Sequence, residues 1–190
     1  MKRHHSQFLK YEFILSFGSF LIKMLPKFIV NFFWNFFNST SGRLGLGIRY
    51  ILATKLFNSI GKNVYLGKDI EIINMENLKI GSNVSIHRFC YIDSTGYIEI
   101  GDNVSIAHHS SILSSNHSWD MVDIPIKYNP IVFKKTIINN DVWIAAGVRV
   151  LSGSIISERT IIAANAVVTN KITGSGLYGG IPAKKIKNLV

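Results

Sequence analysis

From Ile60 onward the chain repeats itself, first every twenty residues and later every eighteen. No other feature constrains the fold as much. Three consecutive blocks read IGKNVYLGKDIEIINMENLK, IGSNVSIHRFCYIDSTGYIE and IGDNVSIAHHSSILSSNHSW. Inside each block, aliphatic residues recur six apart: Ile60, Leu66, Ile72, then Ile80, Ile86, Ile92, then Ile100, Ile106, Ile112. After a non-repetitive stretch the spacing resumes at Ile138, Ile144, Val150, Ile156, Ile162 and Val168. A period of six fits neither an amphipathic helix nor an alternating strand. It fits a triangular solenoid in which each hexapeptide forms one short strand and a corner, and three make a coil. The first position of each hexapeptide then points inward. So does the fifth, where Val64, Val84, Val104, Val142 and Val148 stand. Gly, Asn and Asp between them tolerate the corner geometry. Stacking buries what one coil cannot, and about five coils are legible.

The 190 residues suffice for one domain and an appendage. Cys90 is the lone cysteine, which excludes a disulfide framework and favours a reducing, cytoplasmic compartment. Cys90 falls at the fifth position of its hexapeptide, as Ile70 and Ser110 do, so it reads as core and not as a nucleophile. The net charge of +10 is uneven: residues 1–59 carry eight Lys/Arg against the single acid Glu12. No nucleic-acid-binding motif is present, and nucleic acid is not an expected partner.

Three units follow: residues 1–59, a helical, basic and aromatic segment; 60–173, the solenoid with a loop at about 114–135; and 174–190, a tail. In the first unit the stretch Phe8 to Phe37 is interrupted by Lys10, Glu12, Lys23, Pro26, Lys27 and Asn31. Its longest run free of these interruptions, Phe13 to Ile22, is half of what a membrane span needs. Glu12 and the lack of a clean cleavage site also argue against a signal peptide. Two readings stay open: an interfacial helix pair in which residues 1–40 touch an anionic membrane surface, or helices packed on the main domain or a neighbouring subunit. Residues 43–59 read as a further short helix.

The repeats, with the segment NNDVWIAAGVRVLSGSIISERTIIAANAVVTNKI and the tail GGIPAKKIKNL, resemble the hexapeptide-repeat acyltransferases. The similarity is to their galactoside, maltose and polysaccharide O-acetyltransferase branch, and it covers Ile60 to Val190. It implies a left-handed parallel β-helix, an all-β solenoid with an N-terminal helical segment. The hand comes from the resemblance alone, because it runs against the usual crossover preference. It also implies a homotrimer, acetyl-CoA as co-substrate with no metal, and a catalytic His on an extended loop at a subunit interface.

His117 falls where that His belongs, at the eighteenth residue of the third coil. Acyl transfer to a hydroxyl needs a base, and neutral imidazole suits it; a solvated loop His is the alternative. Asp120 is the candidate to orient its ring. Asn116 and Trp119 flank it as candidate acceptor contacts. On the donor side the resemblance implies Trp143 beside the pantetheine, with Ala145 and Ala146 where backbone amides meet the cofactor. Ala163 and Ala164 would follow, then Thr169. The family's Lys in that segment is displaced, so Asn170 takes its place and Lys171 follows it. Lys184 and Lys187 match basic tail positions that can pair with phosphates. Packed or solvated roles are the alternatives for Trp143 and the lysines.

The acceptor side departs from the pattern. His87 stands where the galactoside branch has a sugar-binding Asn, and Thr95 where it has Asp. His87 remains a candidate acceptor contact. The reading is therefore transfer of an acetyl group to a sugar hydroxyl of a polysaccharide or lipid-linked precursor. It places the enzyme in the cytoplasm, on the inner face of the membrane if the first segment binds lipid. An N-acetyltransferase on an aminosugar nucleotide is the alternative. A carbonic-anhydrase-like zinc trimer would need a His pair on the loop that is missing here, and a non-catalytic scaffold would not need His117.

Overall fold

A computed structural model describes residues 2–189, with side chains from Tyr11 onward. The repeat folds as a parallel β-solenoid of about six turns. Its first face stacks Ser59–Ile60, Leu78–Ile80, Ile98–Ile100, Thr136–Ile138 and Ile155–Ile156. The second stacks Tyr65–Leu66, Ser85–Ile86, Ser105–Ile106, Val142–Ile144, Thr160–Ile162 and Gly176–Gly179, closed by the antiparallel strand Lys184–Lys187. The third stacks Glu71–Ile73, Tyr91–Asp93, Ser111–Leu113, Arg149–Val150 and Val167–Val168.

The register sets like above like, as the six-residue period requires. Leu66 pairs with Ile86, Ile86 with Ile106, Ile106 with Ile144 and Ile144 with Ile162. All five are fully buried, and burying each such side chain stabilises by roughly 1.5–3 kcal/mol. Fifth-position residues close the core, Cys90 and Ser110 included. Asn63, Asn83, Asn103 and Asp141 hold left-handed backbone (φ +55 to +59) at one edge, which Asn and Asp tolerate better than most residues. Their amides form a ladder up that edge: Asn63 Nδ2 donates to Asn83 Oδ1 (2.9 Å) and Asn83 Nδ2 to Asn103 Oδ1 (3.2 Å). In the twenty-residue coils the extra two residues sit at the edge between the third and first faces, where Ser94 to Tyr97 make a wider turn.

Three helices cover the open N-terminal end: α1 (Lys2–Lys23), α2 (Lys27–Phe37) and α3 (Gly42–Leu56). Pro26 breaks α1 from α2 with extended backbone. α2 is apolar except for one stripe, Lys27, Asn31 and Asn35, spaced four apart. Val30 and Trp34 face inward and Trp34 packs against Phe57 (5.9 Å between ring centroids). Phe28, Phe32 and Phe36 lie on the other face, 73%, 64% and 68% exposed. α3 lies between α1 and α2 and the first coil. Among the described residues no helix is long and apolar enough to cross a membrane.

Arg49 on α3 joins helices to coil. It is 1% exposed. Its Nε donates to Leu66 O (2.9 Å), and its Nη1 to Thr40 O (2.8 Å), Asn38 O (3.1 Å) and Phe37 O (3.3 Å). The guanidinium thus satisfies carbonyls left open where α2 ends and ties them to the first strand of the second face. Burial lowers its pKa, against weaker attraction from Tyr65 and Asp69. The close approach needs glycine at position 45, because a Cβ there would meet Thr40 O at 2.0 Å.

Candidate active site

The expected loop is an arm. It leaves the third coil after the strand Ser111–Leu113, at the edge between the third and first faces. Ser115–His117 pairs antiparallel with Ile131–Phe133, and His117 lies opposite Ile131. Two bonded strands hold a side chain more narrowly than a loop does. At the far end the buried Asn129 side chain ties the tip together. Its Oδ1 accepts from Met121 N (2.9 Å), and its Nδ2 donates to the carbonyls of Met121, Ile124 and Pro125 (3.3–3.4 Å). The rest of the arm exposes apolar groups, with Val122 at 88% and Ile126, Tyr128 and Phe133 also open.

The root of the arm is a buried carboxylate. Asp93 occupies a strand position filled by Ile73 and Leu113 in the coils on either side, yet it is only 8% exposed. It accepts from the Ser115 hydroxyl, the first residue of the arm, and from Thr95 N (3.1 Å) and Thr95 Oγ1. Burial alone would raise its pKa; these donors outweigh burial and hold it below the usual value. Beside it, Ser114 Oγ donates to Asp93 O (2.6 Å) and accepts from Gly96 N (2.8 Å).

His117 and Asn116 are exposed and face a cavity of about 210 Å³ shared with Trp119, Asp120, Lys134 and Ser152. Asp120 is in the same cavity as His117, but among the described residues no hydrogen bond joins them. His87 lies elsewhere, at the edge between the second and third faces. Five corners stack there: Gly67-Lys68-Asp69, His87-Arg88-Phe89, Ala107-His108-His109, Ala145-Ala146-Gly147 and Ala163-Ala164-Asn165. Phe89 and His109 hold left-handed backbone (φ +61 and +60), rare for bulky residues; their rings stack at 5.1 Å. The His87 ring lies 5.5 Å from that of Tyr65.

Along this edge the side chains change from basic and aromatic in the first three coils to small in the last two. The amides of Ala145 and Ala163 are engaged in the coil-to-coil ladder, donating to Ile162 O (3.0 Å) and Tyr178 O (2.8 Å). Ala146 and Ala164 project at the corners. Trp143 is 51% exposed on the second face and borders a cavity of about 400 Å³ with Asn103, Asp141 and Arg159. Thr169, Lys171, Lys184 and Lys187 are all exposed, with both tail lysines on the closing strand Lys184–Lys187.

One chain does not bring these groups together. His117, Trp143 and His87 border three separate cavities, and His117 springs from a different edge of the prism from His87, Ala146 and Ala164. Sequence reasoning missed Asp93 and Arg49. The signal for Asp93 was a carboxylate at a strand position aliphatic in both neighbouring coils; Arg49 left none. Among the described residues no group of three or more His, Cys, Asp or Glu is placed to hold a metal ion.

No protein-family model matches the chain. Over 70 residues it is 40% identical to a probable macrolide acetyltransferase of Lysinibacillus sphaericus, covering 36% of this chain and 38% of that one. Two other curated acetyltransferases are matched over 26% and 25% of their lengths, so the likeness spans well under half of each curated relative. Among solved structures, a maltose O-acetyltransferase from Clostridium difficile 630 superposes with a TM-score of 0.75 at 25% identity, covering 86% of each chain. A hexapeptide-repeat-containing acetyltransferase from Vibrio cholerae O1 biovar eltor, solved with acetyl coenzyme A, gives 0.74 at 24% identity over 93% of this chain and 88% of that one. The coils, their register and these likenesses make the chain a hexapeptide-repeat β-solenoid similar to acetyltransferases of that kind, a maltose O-acetyltransferase among them.

Proposed function

We propose that the chain is an acetyl-CoA-dependent O-acetyltransferase acting on a sugar hydroxyl of a polysaccharide or its precursor, as a homotrimer, with His117 as general base. The observation that carries the reading is His117, exposed on a two-stranded arm rooted in an acetyltransferase-like solenoid. The arm's exposed Val122, Ile126, Tyr128 and Phe133 favour burial against a second subunit. In a trimer the arm of one subunit would meet the corner edge of the next, joining what one chain keeps apart.

The residues present fit acetyl-CoA. Ala146 and Ala164 leave the backbone accessible, Trp143 offers an apolar wall, and Lys171, Lys184 and Lys187 are exposed cations suited to phosphates. Acetyl-CoA, when bound, supplies an acyl carbon activated as a thioester. His117 takes the proton of the attacking hydroxyl at a ring nitrogen. It holds that proton while the new C–O bond forms and the C–S bond breaks, then returns it to the departing sulfur. Asp120 is assigned to orient the ring, and Asn116, Trp119 and His87 to contact the acceptor.

The test is thiol release from acetyl-CoA with a panel of glycans and aminosugars, wild type against His117→Ala. The variant should lose on the order of a hundred- to ten-thousandfold in turnover. Near-full turnover would overturn the assignment. Transfer to amines alone would favour the N-acetyltransferase reading.

Residues 1–40 are assigned to an anionic membrane surface, at the inner face of the cytoplasmic membrane. Their one acid, Glu12, is paired with Lys62 at 2.8 Å, so the segment presents cations. Exposed Phe13, Phe17, Phe28, Phe32 and Phe36 supply the apolar face such a contact needs.

A further inference from the structure

The cavity that His87 borders, of about 480 Å³, opens between the start of α3 and the corner edge of the first three coils. Its walls include Ser41, Arg49, Lys68, His87, Arg88 and His108, and no carboxylate. Arg49 brings a buried guanidinium whose hydrogen-bond partners among the described residues are all neutral carbonyls. Lys68 is 3.4 Å from Asp69, which also accepts from Ser39 (2.5 Å), so one of the three fixed positive charges is offset just outside the cavity. Arg88 is exposed and lies over the Phe89 ring (5.5 Å). The N-terminus of the fifteen-residue helix α3 faces the same space. Its N-cap Ser41 makes no side-chain capping bond, and its first turn holds no acid. Open amides and the positive end of the helix dipole therefore add to the side-chain charges. The charge is unbalanced from three independent sources, and the volume suits a monosaccharide.

We propose that this cavity binds the anionic group, a phosphate or a carboxylate, of a charged sugar acceptor. The identification as acceptor rests on the acetyltransferase reading; the binding of an anionic sugar does not. The donor's phosphates are the less fitting occupant, because the small-residue corners and tail lysines assigned to the donor lie in the last coils, whereas this cavity is built on the first three.

The test is calorimetric binding to the full chain without acetyl-CoA, using glucose 1-phosphate, glucuronate and glucose. At least one anionic sugar should bind and glucose should not; which anion binds separates phosphate from carboxylate. Lys68→Gln combined with Arg88→Gln should weaken binding about ten- to a hundredfold, since each removes a charged donor. Lys79→Gln, on the first face, should leave it unchanged. Equal binding of glucose, indifference to the double variant, or one-for-one displacement by coenzyme A would overturn the proposal. Loss of the His117 effect with anion binding intact would remove the catalytic reading and leave this site standing.

Discussion

Replacing Asp93 by Ala removes the acceptor that joins the solenoid to the arm. Three donors converge on this carboxylate: the Ser115 hydroxyl, the Thr95 hydroxyl and Thr95 N. Hydrogen bonds to a charged partner are each worth about 1.5–3 kcal/mol, but the two hydroxyls can turn to water once freed. The part-buried amide, fixed in the backbone, is the group least able to recover, so a net loss of about 2–3 kcal/mol is expected. For a chain of this length that corresponds to a midpoint lower by roughly 4–12 °C. The kinetic consequence should exceed the thermal one. Ser115 is two residues from His117 on the same strand, and displacing a catalytic group by an ångström can cost about a hundredfold in rate. kcat should therefore fall below what the folded fraction explains, with KM for acetyl-CoA little changed. Asp93→Asn, which keeps the volume and one acceptor, should recover part of kcat. The pH dependence has a defined sign. Asp93 is lowered in the folded state, so its stabilisation is present above the unfolded carboxyl pKa of about 3.9 and is lost as pH falls through the lower folded value. The wild type should lose stability in that acid window, and Asp93→Ala should show a flatter acid limb. A lowered midpoint with kcat per folded molecule intact would refute the positioning argument.

Arg49→Met keeps the bulk of the side chain but strips four carbonyls of their donor; a loss of about 2–4 kcal/mol is expected by urea unfolding, and wild-type stability would sink the clamp. Asn129→Ala should loosen the arm tip, read as faster hydrogen exchange over residues 118–130 with the coils unchanged; uniform protection would contradict it. Cys90 is buried and its thiol is pushed up to about 11, chiefly by burial, so roughly one molecule in a thousand is thiolate at pH 8. A thiol reagent should label it only on unfolding, and rapid labelling of native protein would place it outside the core. Replacing Phe28, Phe32 and Phe36 together by Ser should abolish co-sedimentation with phosphatidylglycerol vesicles; equal binding to phosphatidylcholine, or a change of oligomeric state instead, would assign that face to protein contact.

The period of six, read along the chain, determined the three faces, the inward residues and the stacking register. Each of these is a local rule repeated every coil, so it survives in the order of residues. Ile106 above Ile86 and Cys90 in the core follow from counting alone. The place of His117 on an excursion from the third coil was legible as a break in that count. What the break becomes was not. A two-stranded arm, its root at Asp93 and its tip at Asn129 depend on partners brought together by the coil's turn and by pairing across the arm, which no period encodes. Arg49 is the extreme case. One of three cations on α3, it carries no mark of the four carbonyls that surround it, because those carbonyls converge only when α2, α3 and the first coil pack. Tertiary structure alone also decided that His117, Trp143 and His87 lie apart within one chain. A triangular prism sets its edges apart, and residues on different edges cannot meet within it.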